Sequence, residues 1–159
     1  MANPLRLTKG EAIAGKLISG SDIDSVGEVN VGTDLEVADD AYVTGAFGKG
    51  VAVTNIADGA SMTFTAANLL SGIVTATPTE ARNIQAPTAE DLVAAVDAGT
   101  DTGLGFEFTI INLASATHAL TLTVNTGTTL VGSVTIAAAS SATFVARIAS
   151  TSTVVIYRK

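Results

Sequence analysis

The chain has 159 residues and a mass of 15.9 kDa, which allows one compact domain with an arm and excludes a second enzyme-sized domain. Cysteine is absent, so disulfide bonds and thiolate metal sites are excluded. Asp and Glu number 15 against 8 Lys and Arg, giving a net charge of −7. This acidity argues against nucleic acid as a partner, because phosphate binding depends on lysine and arginine.

Residues 1–26 are predicted to form an N-terminal arm, because they mix small, polar and apolar residues without a clear period. The basic side chains Arg6, Lys9 and Lys16 make this arm a candidate contact with a partner surface. The start lacks the order of a signal peptide, and no stretch approaches the roughly 20 apolar residues of a membrane span. We therefore expect synthesis in a cytoplasm and no membrane partner.

Two short motifs near the start resemble ligand-binding loops and then depart from them. Gly10–Lys16 has the glycine and lysine spacing of a phosphate-binding loop, but Leu17 replaces the hydroxyl residue that holds magnesium. Asp22–Gly27 begins like a calcium loop, but Val26 and Thr33 stand where oxygen ligands are needed. We predict no nucleotide site and favour a solvated acidic turn, with a loose surface calcium site as the alternative.

Residues 27–60 are predicted to form short β ribs that stack about an axis and hold three chains together. Apolar residues recur here every six positions, and an even period keeps them on one face of a strand. So few ribs cannot bury both faces alone, and identical subunits are the simplest source of the missing contacts. The alternative is that this segment forms one or two β-hairpins and that the six-residue recurrence of its apolar residues is accidental. The candidate trimer-core residues are Val29, Val31, Leu35, Val37, Val43 and Phe47.

Residues 61–159 are predicted to form an all-β domain, a small β-sandwich or jelly-roll-like fold with one short helix. The helix has Thr88 as N-cap, Glu90 and Asp91 in its first turn, and Gly99 just past its end. Alternation of apolar and polar residues predicts strands at 62–64, 73–77, 81–85, 106–111, 120–125, 130–136, 142–148 and 154–157.

From Phe108 to Ala146 the chain has no charged residue, apart from His118 when it is protonated. An exposed sheet normally carries charges that discourage edge pairing and aggregation. We therefore expect the threonine-rich faces of this domain to be covered, either by the other sheet or by neighbouring subunits, with a trimer preferred.

The sequence contains no arrangement of residues that is typical of catalysis or cofactor binding. His118 is the only histidine, so one chain cannot build a multi-histidine metal site. The chain lacks a nucleophile elbow, and Glu90 and Asp91 are explained by the helix dipole. We predict that the protein is not an enzyme and has no catalytic residue, cofactor or metal.

Several segments of the chain from Met62 to Lys159 resemble small β-domains of tailed-phage virion proteins, which occur in capsid decoration proteins, head fibres and some tail appendages. The segments that carry the resemblance include Leu69–Ile73, Thr77–Asn83, Pro87–Val93, Gly105–Asn112, Leu120–Leu122, Ala142–Phe144 and Val155–Tyr157. The resemblance implies a non-enzymatic virion subunit, commonly trimeric, on the particle surface.

The sequence and the resemblance together predict a bacteriophage structural protein of the capsid decoration, or cement, type. Such a homotrimer binds the major capsid protein on the outer capsid surface and clamps neighbouring capsomers, gaining avidity from several contacts. The alternative is a tail-fibre or spike tip that binds a host-surface receptor. Sugar sites usually present aromatic platforms, and here only Tyr42, Tyr157 and five phenylalanines are available.

Overall fold

The computed structural model describes residues 50–96, 102–115 and 117–159. The predicted arm and the six candidate trimer-core residues lie outside these residues, so both assignments remain predictions. The described elements, in chain order, are β1 (Ala52–Ile56), β2 (Met62–Thr63), α1 (Ala66–Leu70), β3 (Gly72–Ala76), β4 (Arg82–Gln85), α2 (Ala89–Ala95), β5 (Gly105–Asn112), β6 (Leu120–Thr123), β7 (Thr128–Val131), β8 (Thr135–Ile136), β9 (Ser140–Ser150) and β10 (Thr153–Arg158).

The larger sheet has six strands in the order β1-β3-β5-β9-β10-β7. Strands β1, β3 and β5 are parallel, with Ala52 opposite Gly72 and Ile73 opposite Thr109. Strand β9 is antiparallel to both of its neighbours, β5 and β10, and β10 is parallel to β7 at the other edge. The sheet thus begins at Ala52, within the segment that the sequence assigned to ribs.

The smaller sheet has four strands in the order β2-β4-β6-β8, of which the first three are parallel and the last is antiparallel to β6. Successive strands from β1 to β8 alternate between the two sheets. Five of the eight described strand pairs are parallel. This is expected, because the chain passes through the opposite sheet before it adds the next strand to the same sheet.

The mostly-β fold class predicted from the sequence is confirmed. The mixed sheets, however, differ from a jelly roll, whose strands pair antiparallel. The alternating pattern that predicts strands reports which face of a strand is buried but carries no information on the direction of its neighbour.

One hydrophobic core contains the inward side chains of both sheets and of both helices. Phe108 of β5 and Phe144 of β9 lie at its centre, with ring centroids 5.5 Å apart and ring planes 19° apart. Both rings are 1% exposed, so the few large aromatic side chains of this chain are concentrated where the two strands meet. The other fully buried large residues are Leu69, Val74, Ile84, Leu92, Ile110, Leu120, Leu122, Ile136, Ile148 and Ile156.

The predicted helix is confirmed as α2, with Thr88 as its N-cap. The Thr88 hydroxyl accepts a hydrogen bond from the Asp91 amide at 3.1 Å and donates one to the Asp91 carboxylate at 2.7 Å. A second helix, α1, was not predicted. Thr65 and Asn68 cap it reciprocally, but its five residues are too few to show a helical period.

The segment 130–136, predicted as one strand, is two strands in different sheets. The break lies at Gly132, whose φ of +95° is a conformation that L side chains rarely adopt. A Cβ at this glycine would lie 3.1 Å from the Arg158 Cβ, so the bend also depends on a close approach to β10.

Candidate protein interface

The face of the six-stranded sheet that points away from the core is the main candidate site, and we call it the outer face. Its residues alternate with the buried ones along each strand and align across the sheet by strand register. They are Val53 and Asn55 of β1, Ile73 and Thr75 of β3, Glu107, Thr109 and Ile111 of β5, Ser141, Thr143, Val145 and Arg147 of β9, Val155 and Tyr157 of β10, and Thr129 and Val131 of β7.

Seven of these fifteen side chains are apolar, which is many for a surface in contact with water. Val53 is 66% exposed, Val131 is 49% exposed and Tyr157 is 39% exposed. One row across the sheet places Val145 beside Tyr157 and Tyr157 beside Val131. Covering such side chains stabilises a complex by about 25 cal/mol per Å² of apolar surface removed from water.

Charge on the outer face is low and largely compensated. The Lys159 ammonium lies 2.5 Å from the Glu107 carboxylate, so these two charges neutralise each other. Arg147 is exposed and forms no ion pair with any residue that the structure describes. The Thr109 and Thr143 hydroxyls lie 3.0 Å apart and hydrogen-bond to each other.

The opposite surface of the domain, the outward face of the four-stranded sheet, has a different composition. All six of its residues are polar and uncharged: Thr63, Asn83, Gln85, Thr121, Thr123 and Thr135. The two outward faces therefore differ in hydrophobicity although both lack a cluster of charges. Only the six-stranded sheet presents the apolar surface that is typical of a protein contact.

Asp58 lies in the loop after β1, and its side chain is hydrogen-bonded to the segment that leads into β4. Its carboxylate accepts hydrogen bonds from the Arg82 Nε at 2.8 Å, the Thr79 hydroxyl at 2.5 Å and the Thr79 amide at 3.1 Å. The Arg82 hydrogen bond, followed by that of Thr79, holds the pKa of Asp58 well below its usual range. Arg82 also pairs with Glu80, so its charge serves a contact within the chain.

Asn112, at the end of β5, is a fully buried polar residue. Its amide nitrogen donates to the carbonyl oxygens of His118 at 2.8 Å and Ile136 at 3.1 Å, and its amide oxygen accepts from the Ala114 amide at 3.0 Å. These bonds fix the crossing from the six-stranded to the four-stranded sheet. Both amide hydrogens and one lone pair of the amide oxygen are used within the chain, which leaves little for a ligand.

Neither Asp58 nor Asn112 was assigned a role from the sequence. Their partners lie 21 and 24 residues away for Asp58, and up to 24 residues away for Asn112. No spacing motif connects such pairs, because only the fold brings them together. The uncharged stretch from Phe108 to Ala146 was the signal in the sequence that indicated part of the outer face.

Among the residues that the structure describes, no group of three or more His, Cys, Asp or Glu side chains could hold a metal ion. A shallow depression of about 350 Å³ lies at the ends of β5 and β9, lined by Ile111–Leu113 and Ala139–Ser141. The Ser140 hydroxyl there bonds to the Ala137 carbonyl, so no acid–base pair faces this space. No helix in the described ranges is long and apolar enough to cross a membrane.

The candidate contact residues Arg6, Lys9 and Lys16, and all six candidate trimer-core residues, lie outside residues 50–96, 102–115 and 117–159. Their assigned roles therefore stay predictions. No protein-family model, curated protein or solved structure matches the chain.

Proposed function

We propose that this protein is a structural virion protein that decorates the outer surface of a phage capsid as a homotrimer and clamps neighbouring capsomers. The major capsid protein is its partner in this proposal, and it carries out no reaction. The observation that carries the proposal is the outer face, a broad surface of valine, isoleucine and threonine with one charge lacking a partner among the described residues.

Three further features support a scaffolding role. Among the residues that the structure describes, every buried side-chain nitrogen or oxygen has a hydrogen-bond partner within the chain, as Asn112 does. The first 20 residues of the N-terminal arm carry three cations against one acid, on a chain of net charge −7, so they can contact an acidic capsid surface that the rest of the chain would repel. Threefold symmetry also matches local threefold positions of an icosahedral lattice, where each trimer gains avidity from repeated contacts.

We propose that the two sheets form a sandwich around the core and that stacked ribs, predicted over residues 27–60, lead into it, with Ala52–Ile56 of that segment already part of the six-stranded sheet. The single core that receives the inward side chains of both sheets supports the sandwich.

The location and copy number of the protein on purified virions test the proposal. We expect hundreds of copies on the outer shell near local threefold positions, counted by quantitative mass spectrometry and placed by electron cryomicroscopy. A few dozen copies confined to the tail, or absence from the particle, would contradict it.

The role of the arm is tested separately by binding to undecorated capsids. We expect that deletion of residues 2–20, or the combined change of Arg6, Lys9 and Lys16 to alanine, abolishes binding. The matched control is Glu11→Gln, which alters the lone acid of the same segment and should leave binding intact. Retained binding by the deletion variant would refute the arm assignment.

The alternative, a tail-fibre or spike tip that binds a host-surface glycan, is favoured by one observation. Tyr157 is 39% exposed between Val145 and Val131, with Thr143 and Thr129 one row away, and an exposed aromatic ring near polar groups is the usual platform for a sugar. Glycan binding that is lost in Tyr157→Ala and kept in Val131→Ala would favour this alternative over decoration.

A further inference from the structure

We infer that the outer face of the six-stranded sheet packs against a second copy of this chain. This inference deepens the proposed function and rests on its homotrimer, because it places the three outer faces around the threefold axis, where each contacts both neighbouring copies. Its evidence is independent of residues 1–49, since every residue of the outer face lies in the described part of the chain.

The size of the outer face suits a protein contact. Six strands about 4.8 Å apart span roughly 24 Å, and the eight residues of β5 at about 3.4 Å each extend roughly 27 Å. Covering this area on all three copies removes about 1,900 Å² of surface from water, which is comparable to the area that stable protein interfaces bury. A smaller ligand would leave most of the apolar side chains exposed.

The composition of the outer face makes it complementary to itself. Threonine hydroxyls both donate and accept hydrogen bonds, so a threonine on one copy can pair with a threonine on another. The Thr109 and Thr143 hydroxyls already form such a pair within the sheet, at 3.0 Å. Val145 and Val155 on neighbouring strands supply apolar surface that any copy of the same face can cover.

The charge distribution also favours a copy of this chain over a strongly charged partner. Glu107 and Lys159 neutralise each other at 2.5 Å, so the middle of the outer face attracts neither sign. Arg147 lies opposite Gly105, where β5 begins, and so stands toward one end of the surface. Its long side chain can keep the charge in water at the rim while the apolar residues of the outer face, including Val155 beside it, are covered.

Single cysteines introduced into this cysteine-free chain test the inference directly. Val145→Cys places the thiol on the outer face, and Thr121→Cys places it on the outward face of the four-stranded sheet. Both positions are half-buried in one chain, which makes them a matched pair. Val155→Cys is a second outer-face variant, and circular dichroism with a thermal melt confirms that each variant folds.

Two readouts are taken on the full-length variants: the rate of maleimide labelling, and covalent dimer formation with a bismaleimide of short spacer. We expect Val145→Cys and Val155→Cys to label at least tenfold more slowly than Thr121→Cys and to give covalent dimers that Thr121→Cys does not. Equal labelling rates would overturn the inference. Slow labelling of the outer-face thiols without covalent dimers would overturn it and would indicate that the chain's own N-terminal segment covers the outer face. Slow labelling only after capsids are added would overturn it and would indicate that the capsid covers this face.

The outcome is separable from that of the proposed function. A protein that forms outer-face dimers with the cross-linker but is absent from virions would support this inference and contradict the decoration role. A protein found on the capsid shell whose outer-face cysteines label freely would support the decoration role and contradict this inference.

Discussion

Replacing Asn112 with alanine should destabilise the protein more than any other single change of a described polar side chain. The change removes two donated hydrogen bonds, to the His118 and Ile136 carbonyls, and one accepted from the Ala114 amide. Asn112 is 0% exposed, so water cannot replace these partners without opening the structure. Each buried group left without a partner costs about 1–3 kcal/mol, and we expect a total loss of about 3–5 kcal/mol.

Urea denaturation followed by circular dichroism measures this loss. With a slope of about 1.5 kcal/mol per molar urea, the midpoint of Asn112→Ala should fall by about 2–3 M. The control is Asn83→Ala, an exposed asparagine on the four-stranded sheet, which should change the free energy of unfolding by less than about 0.5 kcal/mol. If Asn112→Ala also changes the free energy of unfolding by less than about 0.5 kcal/mol, the claim that this amide fixes the crossing between the sheets is wrong.

Three more substitutions have expected outcomes. Gly127→Ala should strongly lower the melting temperature, because φ is +73° and the new Cβ would lie 2.3 Å from the Ser152 carbonyl oxygen. Phe144→Ala should cost about 3–5 kcal/mol in urea denaturation, since the ring is 1% exposed in the core. Asp58→Asn should lower the melting temperature at neutral pH, and the difference from wild type should shrink below about pH 4. The folded pKa is depressed, so the contribution of the carboxylate is present above the ordinary aspartate pKa of about 3.9 and is lost as pH falls.

Each of these outcomes has a contrary result. An unchanged melting temperature in Gly127→Ala would show that the turn before β7 tolerates a side chain. A loss below about 1 kcal/mol in Phe144→Ala would mean that the core collapses around the missing ring. A melting-temperature difference for Asp58→Asn that stays constant from pH 7 to pH 2 would show that the effect does not come from the charged carboxylate.

The strand segments of the C-terminal domain could be predicted from the sequence because each strand buries one face and so alternates. Thr88 with an acidic first turn likewise identified α2, since a helix cap is a local signal. The split at Gly132 could not be predicted, because Leu130 and Ile136 both continue an apolar pattern although they belong to different sheets.

Strand pairing was beyond the reach of local patterns. Parallel neighbours such as Val74 and Ile110 lie 36 residues apart, and only the passage through the other sheet brings them side by side. The outer face was anticipated in part, since the uncharged stretch from Phe108 to Ala146 indicated a surface in need of cover. Its full extent depends on Val53 and Ile73 of two earlier strands, which that stretch does not include.

The mass of the native protein in solution tests the central claim most directly. Sedimentation equilibrium of the full-length chain at micromolar concentration should give three times the chain mass of 15.9 kDa, unchanged on tenfold dilution. If the folded protein stays in solution with the mass of a single chain, its apolar sheet face is uncovered. That result would contradict the claim that the protein works as a trimer.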